Sequence, residues 1–261
     1  MVKGLYIAYT GMIHEQQRMD IMTNNLANAD TTGFKKEGAT SQAFTDVLAL
    51  KIKDISEGGS GRNVRPEGMM QPGVKIGENY VDYTEGPLKE TENAFDLALS
   101  DKGFFAIEFT NKAGVTSTKY TRDGNFTLNT NGDLVNQNGD YVLSSTGGHI
   151  RIDPLLETKI DRQGQIWQNE NVVAKIGVTD FADYDYLARY GENYFETIEG
   201  AEEIQPDTEI YSGYLEMANM SVVTEMVNMI AISRQYEANQ KLIQTFDSSL
   251  EKSVNELGRV S

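Results

Sequence analysis

Cysteine is absent from this 261-residue sequence, and histidine and tryptophan are rare, with two copies and one copy respectively. Without cysteine the chain has no disulfide bonds, no thiol catalysis and no thiolate metal ligands. His14 falls in a predicted helix and His149 in a predicted turn, so the two do not suggest a shared metal site. No stretch of about 18 consecutive apolar residues occurs, and we therefore expect no membrane-spanning helix.

Basic residues are also scarce. The chain has 23 lysines and arginines against 39 aspartates and glutamates, a formal net charge of −16. No basic stripe with interleaved aromatic residues is present, so nucleic acid is not an expected partner. The acidic excess lies mainly in the middle of the chain, whereas the two ends are nearly balanced in charge. This division favours ends that pack together within an assembly and an acidic middle that faces water.

The sequence patterns of common catalytic sites are missing too. There is no nucleophile elbow, no phosphate-binding loop and no dinucleotide-binding glycine motif after a predicted strand. The segment 125–140 is rich in Asn and Asp, but its spacing does not match a calcium loop and is better explained by turns. Glu199, Glu202 and Glu203 are typical of a solvated loop rather than of paired glycosidase acids. We expect no enzyme, no metal ion and no cofactor.

Apolar residues recur at intervals of seven near both ends, which is the pattern of helices that pair along a coiled-coil-like seam. The first helix is predicted from about Val2 to Ala29 and the second from Tyr214 to Leu257. The first row is Leu5, Met12, Met19 and Leu26, and the second row is Val222, Met229, Tyr236, Ile243, Leu250 and Leu257. A partly polar companion row accompanies the second: Glu225, Ile232, Asn239, Phe246 and Ser253.

The two predicted helices differ in length by roughly 15 residues, or about 22 Å at a rise of about 1.5 Å per residue. Pairing within one chain therefore leaves part of the longer helix uncovered, and another chain is its expected partner. The alternative is a long helix that lies across its own domain.

Between the helices the apolar pattern changes to the two-residue period of strands. Residues 104–109 predict a strand, and three turn dipeptides follow, at Asp123-Gly124, Asn131-Gly132 and Asn138-Gly139, where glycine allows positive φ. The sequence thus predicts an α+β fold in which a mostly antiparallel β domain is inserted between long terminal helices. The expected domains are 1–30 with 212–261 for the helices, 31–90 for an extended linker or arm, and 91–211 for the β-rich outer domain.

Four segments resemble the rod and hook proteins of the bacterial flagellum. They are NNLANADTTGFK at 24–35, NAFDLALSDKGFFAI at 93–107, YTRDGNFTLNTNGDLVNQNGDYVL at 120–143 and GYLEMANMSVVTEMVNMIAISRQYEANQKLIQTFD at 213–247. The chain is most similar to the distal rod protein of this family in its length and in GENYFET at 191–197.

Other features point to other members of that family. Ala218-Asn219 replaces the usual Ser-Asn pair, and residues 232–237 are also similar to the proximal rod paralogue. A hook-type subunit is less favoured because its larger outer domains need more residues.

The resemblance implies a structural subunit of the basal-body rod, exported beyond the cytoplasmic membrane. Its implied partners are further copies of itself in a helical polymer, neighbouring rod and hook proteins, and the flagellar export apparatus. The hollow shaft formed by this family transmits torque from motor to hook and surrounds the export channel. The first residues lack the pattern of a cleaved secretory signal, which agrees with export by that apparatus.

The candidate subunit-interface residues lie in both helices and at the end of the first one. Amides and hydroxyls there can satisfy carbonyl groups of the helix end or of neighbouring chains, and Gly33 permits a sharp turn. The candidates are Leu5, Met12, Met19, Asn24, Asn25, Leu26, Asn28, Thr31, Thr32, Gly33, Phe34, Met229, Ile232, Tyr236, Ile243, Phe246 and Leu250.

Aromatic residues crowd into the segment 181–195. They are Phe181, Tyr184, Tyr186, Tyr190, Tyr194 and Phe195. A protein core or a subunit interface is their favoured role, and the alternative is a surface carbohydrate-binding or adhesin module whose rings stack on sugars. A peptidoglycan-active enzyme is a further alternative, which requires a cleft with paired carboxylates.

Overall fold

The structure is a computed structural model that describes residues 2–45, 47–53, 63–112, 114–191, 193–206 and 208–257. Two helices stand at the ends of the chain with strands between them, as the α+β prediction requires. Helix α1 runs Val2–Ala27, helix α2 runs Val222–Leu257, and a 3₁₀ turn covers Tyr184–Tyr186. Within the described residues, neither helix is long and apolar enough to cross a membrane.

The strands between the helices are short and pair in antiparallel fashion throughout the described residues. In chain order they are β1 Glu37–Ala43, β2 Val47–Lys53, β3 Asn63–Met70, β4 Val74–Val81, β5 Leu88–Glu90, β6 Leu97–Leu99, β7 Phe104–Thr110, β8 Thr116–Thr121, β9 Phe126–Leu128, β10 Leu134–Asn136, β11 Tyr141–Val142, β12 Thr158–Ile160, β13 Gln165–Gln168, β14 Asn171–Lys175, β15 Val178–Phe181, β16 Leu187–Tyr190, β17 Tyr194–Thr197, β18 Glu203–Ile204, β19 Ile210–Ser212 and β20 Tyr214–Glu216.

The described residues divide into two compact units. The helical unit takes those within 1–26, 37–81 and 222–261, so it holds α2, nearly all of α1 and strands β1 to β4. The β unit takes those within 27–36 and 82–221, and it holds strands β5 to β20. Each unit therefore combines segments that lie far apart in the sequence.

In the helical unit, α1 and α2 run antiparallel and approach closely at two glycines of α1. A methyl group built on Gly4 would lie 2.7 Å from Phe246 Cζ, and one built on Gly11 would lie 3.0 Å from Asn239 Nδ2. A step of seven along α1 thus matches a step of seven backwards along α2. The missing Cβ atoms let side chains of α2 reach the backbone of α1.

A polar contact continues the same register one turn further along. With the Gln235 amide oriented to satisfy both partners, its nitrogen donates to Glu15 Oε1 at 3.2 Å. Glu15 also accepts from Arg18 Nη1, which lies 3.1 Å from Oε2. The contact between the helices is therefore apolar at one end and increasingly polar toward the other.

The predicted apolar row of α2 and its companion row lie together on the less exposed face of that helix. Ile232 is the most buried of these residues, whereas Val222, at the first position, is exposed. The protected members, at alternating steps of four and three, are Glu225, Met229, Ile232, Tyr236, Asn239, Ile243, Phe246, Leu250 and Ser253.

On α1, the face that meets α2 differs from the predicted row. The close contacts to α2 are made at Gly4 and Gly11, where the absence of a side chain allows a close approach, and Glu15 adds a polar contact. The predicted row lies beside this face and is only half-buried: Leu5, Met12, Met19 and Leu26. Leu5 and Ile243 do line one apolar hollow of about 340 Å³.

Both helices are shorter than predicted. Helix α1 ends at Ala27 instead of Ala29, and α2 begins at Val222 because residues 214–216 form strand β20 against β5. The helices have 26 and 36 residues, so α2 is still the longer one. In the register of the glycine contacts its last turns extend past the start of α1, and Val254 there is 71 % exposed.

The segment expected to be an extended linker or arm contains paired strands. Strand β1 pairs with β4, and β2 pairs with β3. The sequence of β1, EGATSQA, has no apolar alternation from which a strand could be predicted. These strands contact α1, since His14 Nε2 lies 2.9 Å from Ser41 Oγ and a methyl group on Gly73 would overlap Thr10 Oγ1.

In the β unit, the largest sheet has nine strands in the order β16-β17-β8-β7-β11-β10-β9, with β15 added to β7 and β18 to β15. Smaller sheets are formed by β12-β13-β14, by β6 with β19 and by β5 with β20. The predicted strand at 104–109 is confirmed as β7. The core contains Leu97, Leu99, Phe105, Ile107, Phe126, Leu134, Val142, Ile150, Ile152, Ile166, Ile176, Tyr194 and Ile210.

Two of the three predicted turn glycines have positive φ, +83° at Gly132 and +89° at Gly139. Gly124 is needed for a different reason, because a methyl group there would overlap the carbonyl oxygen of Leu97. At position 124 glycine is therefore required by a close contact with the backbone, which cannot be predicted from the sequence, and not by the positive φ that we expected.

The aromatic segment 181–195 contributes mainly to the core of the β unit. Phe181 and Phe195 are buried, and their ring centroids lie 6.0 and 5.3 Å from that of Phe104. Tyr186 and Tyr190 remain exposed on the surface. The core interpretation is therefore correct for part of the segment.

Tyr194 joins this core to the hairpin between β10 and β11. Its hydroxyl accepts from Asn136 Nδ2 at 2.6 Å and from Asn138 Nδ2 at 2.7 Å, and donates to Asp140 Oδ2 at 2.7 Å. Burial and the hydrogen bond to Asp140 raise the pKa of Tyr194 from 10.0 to about 12, although the hydrogen bonds from Asn138 and Asn136 oppose this rise.

We expect stability to fall as the pH rises from 10 to about 12, because Tyr194 ionises in the unfolded chain before it does so in the folded one. Each titrating group contributes at most about 1.4 kcal/mol per pH unit. Denaturant unfolding across this range should show a shallower decline for Tyr194→Phe than for the parent chain. The exposed Tyr186→Phe is the matched control, and equal declines in all three proteins would refute this account.

Candidate functional site

Segments that resemble the rod and hook family meet inside the β unit. We call the meeting point the signature cluster. It consists of residues 31–36, which follow α1, together with Arg122, Asp123, Asn193, Glu216 and Asn219.

Glu216 lies at the centre of the signature cluster, with a side chain that is only 2 % exposed. Its Oε1 accepts hydrogen bonds from Lys35 Nζ at 2.6 Å and from Gly86 N at 2.9 Å. Its Oε2 lies 3.4 Å from Arg122 Nη1. One buried carboxylate is therefore shared by two cationic side chains.

Lys35 is as deeply buried as its partner, and its ammonium group also donates to Thr84 O at 2.6 Å. Burial lowers the pKa of Lys35, and the Glu216 carboxylate opposes that shift. Loss of one member would leave an unpaired charge away from water, at a cost of about 3–5 kcal/mol. The triad therefore requires all three segments to be in place together.

Thr32 and Gly33 connect the end of α1 to two other segments, the turn that follows β8 and strand β20. Thr32 Oγ1 donates to Asp123 Oδ1 at 2.6 Å, and Gly33 N donates to Glu216 O at 2.8 Å. Gly33 has φ +67°, and a methyl group there would overlap Asp123 N and the carbonyl carbon of Arg122. Both the left-handed backbone and the tight contact therefore require glycine.

Asp123 carries further hydrogen bonds at the edge of the cluster. Asn193 Nδ2 lies 3.5 Å from Asp123 Oδ2 and also donates to Thr32 O at 3.2 Å. Burial raises the pKa of Asp123, while its hydrogen bond from Thr32 lowers it. Asn193 belongs to the family-like segment 191–197, so this segment too is tied to the cluster.

Phe34 and Lys36 complete the cluster on its other side. Phe34 is fully buried, and the guanidinium carbon of Arg189 lies 4.6 Å from its ring centroid. Lys36 N donates to Asn219 Oδ1 at 2.8 Å, and Asn219 Nδ2 donates to Asp82 O at 2.7 Å. Asn219 thus satisfies backbone groups on two separate segments.

The predicted helix-end residues are brought together only in part. Asn28 accepts from Thr31 Oγ1 at 3.3 Å, next to the cluster residues 32–34. Asn25 instead belongs to the helical unit, where its amide exchanges hydrogen bonds of 2.8 and 2.9 Å with the backbone of Glu37. Asn24 is exposed. Their role between subunits stays a prediction.

Sequence reasoning missed Lys35, Arg122, Glu216 and Asn219 as site residues. Each lies within a family-like segment. Among the charged ones, only Glu216 has mainly apolar sequence neighbours, which is a signal for a buried charge, and the helix predicted for 214–257 led us to overlook it.

A second surface feature lies on α2, on the side opposite the face that meets α1. We call it the outer stripe: Val223, Met226, Val227 and Ile230, which are 72 %, 47 %, 59 % and 55 % exposed. Their spacing of i, i+3, i+4 and i+7 is that of one apolar helix face. The stripe is therefore a face of α2 separate from the two predicted rows.

Comparison with known families matches three stretches of the chain. Residues 5–35 match "Flagella basal body rod protein", residues 98–168 match "Flagellar hook protein FlgE/F/G D1 domain", and residues 211–257 match "Flagellar basal body rod FlgEFG protein C-terminal". The buried triad takes one residue from each stretch: Lys35, Arg122 and Glu216.

Similar proteins extend over the full length of the chain. "Flagellar basal-body rod protein FlgG" of Buchnera aphidicola subsp. Acyrthosiphon pisum is 32 % identical over 97 % of this chain and 98 % of that protein. "Flagellar basal-body rod protein FlgF" of Caulobacter vibrioides is 31 % identical over 100 % of both chains. "Flagellar hook-basal body complex protein FlhO" of Bacillus subtilis is also 31 % identical over 100 % of both.

Gly33→Ala should strongly destabilise the β unit, because the new methyl group meets backbone atoms that cannot move aside. Gly191 has a similar φ of +71°, and a methyl group there would have open space around it, so Gly191→Ala isolates the cost of backbone strain. We expect about 1–2 kcal/mol for the control and at least twice that for Gly33→Ala in denaturant unfolding. Equal losses would show that the contact with 122–123 is unimportant.

Glu216→Gln should reduce the free energy of unfolding of the β unit by about 3–5 kcal/mol, because Lys35 and Arg122 lose their shared counter-charge. Glu157→Gln is the matched control, since the ion pair of Glu157 with Lys159 is largely exposed to water. Chemical denaturation should leave the control close to the parent chain. A loss for Glu216→Gln no larger than that of the control would contradict a structural role for the triad.

Proposed function

This chain belongs to the flagellar basal-body rod protein family, and we propose that it is a subunit of the bacterial rod that self-assembles into a hollow helical shaft. Members of this family are structural proteins rather than enzymes, and the flagellar basal body is their location. In this proposal the shaft transmits torque from motor to hook and surrounds the export channel.

The outer stripe of α2 is the observation that carries this proposal. Four large apolar side chains at helical spacing face water, although burial of apolar surface is favourable by about 25 cal/mol per Å². The face of α2 that meets α1 is separate, so pairing within the chain does not cover the stripe. Contact with another copy would bury it.

A contact between unlike surfaces of successive copies extends into a filament when the rotation between copies does not close a ring. The outer stripe lies on the first turns of α2, whereas the hollow around Leu5 and Ile243 lies near the start of α1. These two apolar surfaces are unlike, which supports an open helical polymer. The partly exposed interface candidates Leu5, Met12, Met19 and Leu26 would then be buried between copies.

Stiffness in such a shaft would come from the pairing of α1 with α2. The alternating steps of four and three on α2 and the close glycine contacts on α1 support a coiled-coil-like pair. Shear of this pair would have to separate many packed side chains together.

We place the chain as a distal-type rod subunit, supported by its length of 261 residues and by GENYFET at 191–197. A proximal rod paralogue and a hook-type subunit are the alternatives. Further copies of the chain, neighbouring rod and hook proteins and the flagellar export apparatus are its proposed partners.

The double variant Val227→Glu with Ile230→Glu tests self-assembly without disturbing the fold, because both side chains are exposed in one chain. We expect the parent chain to sediment as polymers visible by electron microscopy and the double variant to sediment as a monomer. Circular dichroism and thermal unfolding should be the same for both.

Gln240→Glu with Gln244→Glu is the control, since it places the same two charges on exposed polar positions of α2. It should polymerise as the parent chain does. Polymers formed equally well by the Val227 and Ile230 double variant would exclude the outer stripe as the assembly surface. A parent chain that stays monomeric at high concentration would count against self-assembly itself.

A further inference from the structure

The only tryptophan of the chain, Trp167, stands on the outer face of a small sheet. In strand β13 the burial alternates, so that Ile166 and Gln168 face the core while Trp167 between them is partly exposed. Its cross-strand neighbours are Lys159 on β12 and Val172 on β14. Ile166 supplies the core contact of this strand, and the indole ring lies on the opposite face.

The indole ring forms one wall of an open hollow of about 550 Å³. Three carboxylates line the hollow beside the ring, those of Glu157, Asp161 and Glu170. Val172, which is 49 % exposed, extends the apolar surface next to the ring. The hollow thus combines a flat aromatic surface with an acidic rim.

The charge in this hollow is not balanced by its own residues. Lys159 Nζ lies 3.2 Å from Glu157 Oε1 and pairs with that carboxylate. Among the described residues no lysine or arginine forms an ion pair with Asp161 or Glu170. Two carboxylates beside an indole ring are therefore left to attract a cation from outside the chain.

The backbone holds one of these carboxylates in an uncommon conformation. Asn169 and Glu170 form the turn between β13 and β14 with φ of +46° and +64°, and among the described residues they alone have positive φ without being glycine. Asn is common in such turns because its short polar side chain can form local hydrogen bonds, whereas Glu lacks this compensation and is uncommon there. The turn keeps the Glu170 carboxylate at the edge of the hollow.

We propose that the Trp167 hollow is a docking site for an arginine side chain on a partner protein that lies against the sheet β12-β13-β14. A guanidinium group stacks well on indole, where it gains cation–π attraction, and it pairs with carboxylates through its fixed fork of donors. The aliphatic stem of the arginine would cover Val172, which lies beside the ring on the same face of the sheet. This site is separate from the outer stripe and does not depend on self-assembly.

Because Trp167 is the sole tryptophan, its fluorescence reports directly on the hollow in the full-length chain. The probe is a short acetylated and amidated peptide with one arginine between two leucines, compared with the same peptide carrying neutral citrulline. We expect a saturable fluorescence change with the arginine peptide and at least about tenfold weaker binding of the citrulline peptide. Added salt should weaken the arginine peptide more than the citrulline one.

Glu170→Asn removes the rim charge while placing a residue that tolerates positive φ, so this variant should fold at least as well as the parent chain. It should bind the arginine peptide several-fold more weakly, whereas Glu199→Gln, an exposed carboxylate elsewhere on the β unit, should bind it as the parent does. Equal binding of both peptides, or equal loss in both variants, would overturn the proposal. A response only to an N-acetylglucosamine oligosaccharide would overturn it in favour of a glycan site.

Discussion

The buried carboxylate of Glu216 is the interaction on which the arrangement of the β unit depends. The cost of desolvating this charge is offset by Lys35, Arg122 and the Gly86 amide together, and each comes from a different part of the sequence. The signature cluster also fixes the two points at which the chain leaves this unit. Lys36 N and Asn219 Oδ1 are hydrogen-bonded, so the segments leading to β1 and to α2 leave from neighbouring points.

The elements that could be predicted from sequence are those with local or periodic causes. The seven-residue rows of α2 identified its protected face, and the Asn-Gly dipeptides identified the positive φ of Gly132 and Gly139. The face of α1 that meets α2 could not be predicted in this way. Gly4 and Gly11 are important only because side chains of α2 pack against them, and a pattern within α1 does not show this. Strand β20 was taken for helix since three residues are too few to show a two-residue period.

Only part of the signature cluster could be predicted from the sequence, for a related reason. Residues 31–34 stood out through their turn chemistry and their family resemblance. Their partners at 122, 123, 193 and 216 lie far along the chain, and no local sequence pattern predicts a contact at such separation. The outer stripe was present in the apolar spacing of 223–230, yet only the position of α1 separates it from the seam. When a helix has two apolar faces, the position of its neighbouring helix must be known before the role of either face can be assigned.

The unequal lengths of α1 and α2 give the helical unit two tips that are chemically unlike. One tip ends on the last turns of α2 alone, and the other holds the junction with β1 and the outer stripe. In the proposed polymer a stack of such units would have a direction, since a molecule turned end for end would present the wrong tip to the one before it. Growth at one end of the stack would then be a different reaction from growth at the other.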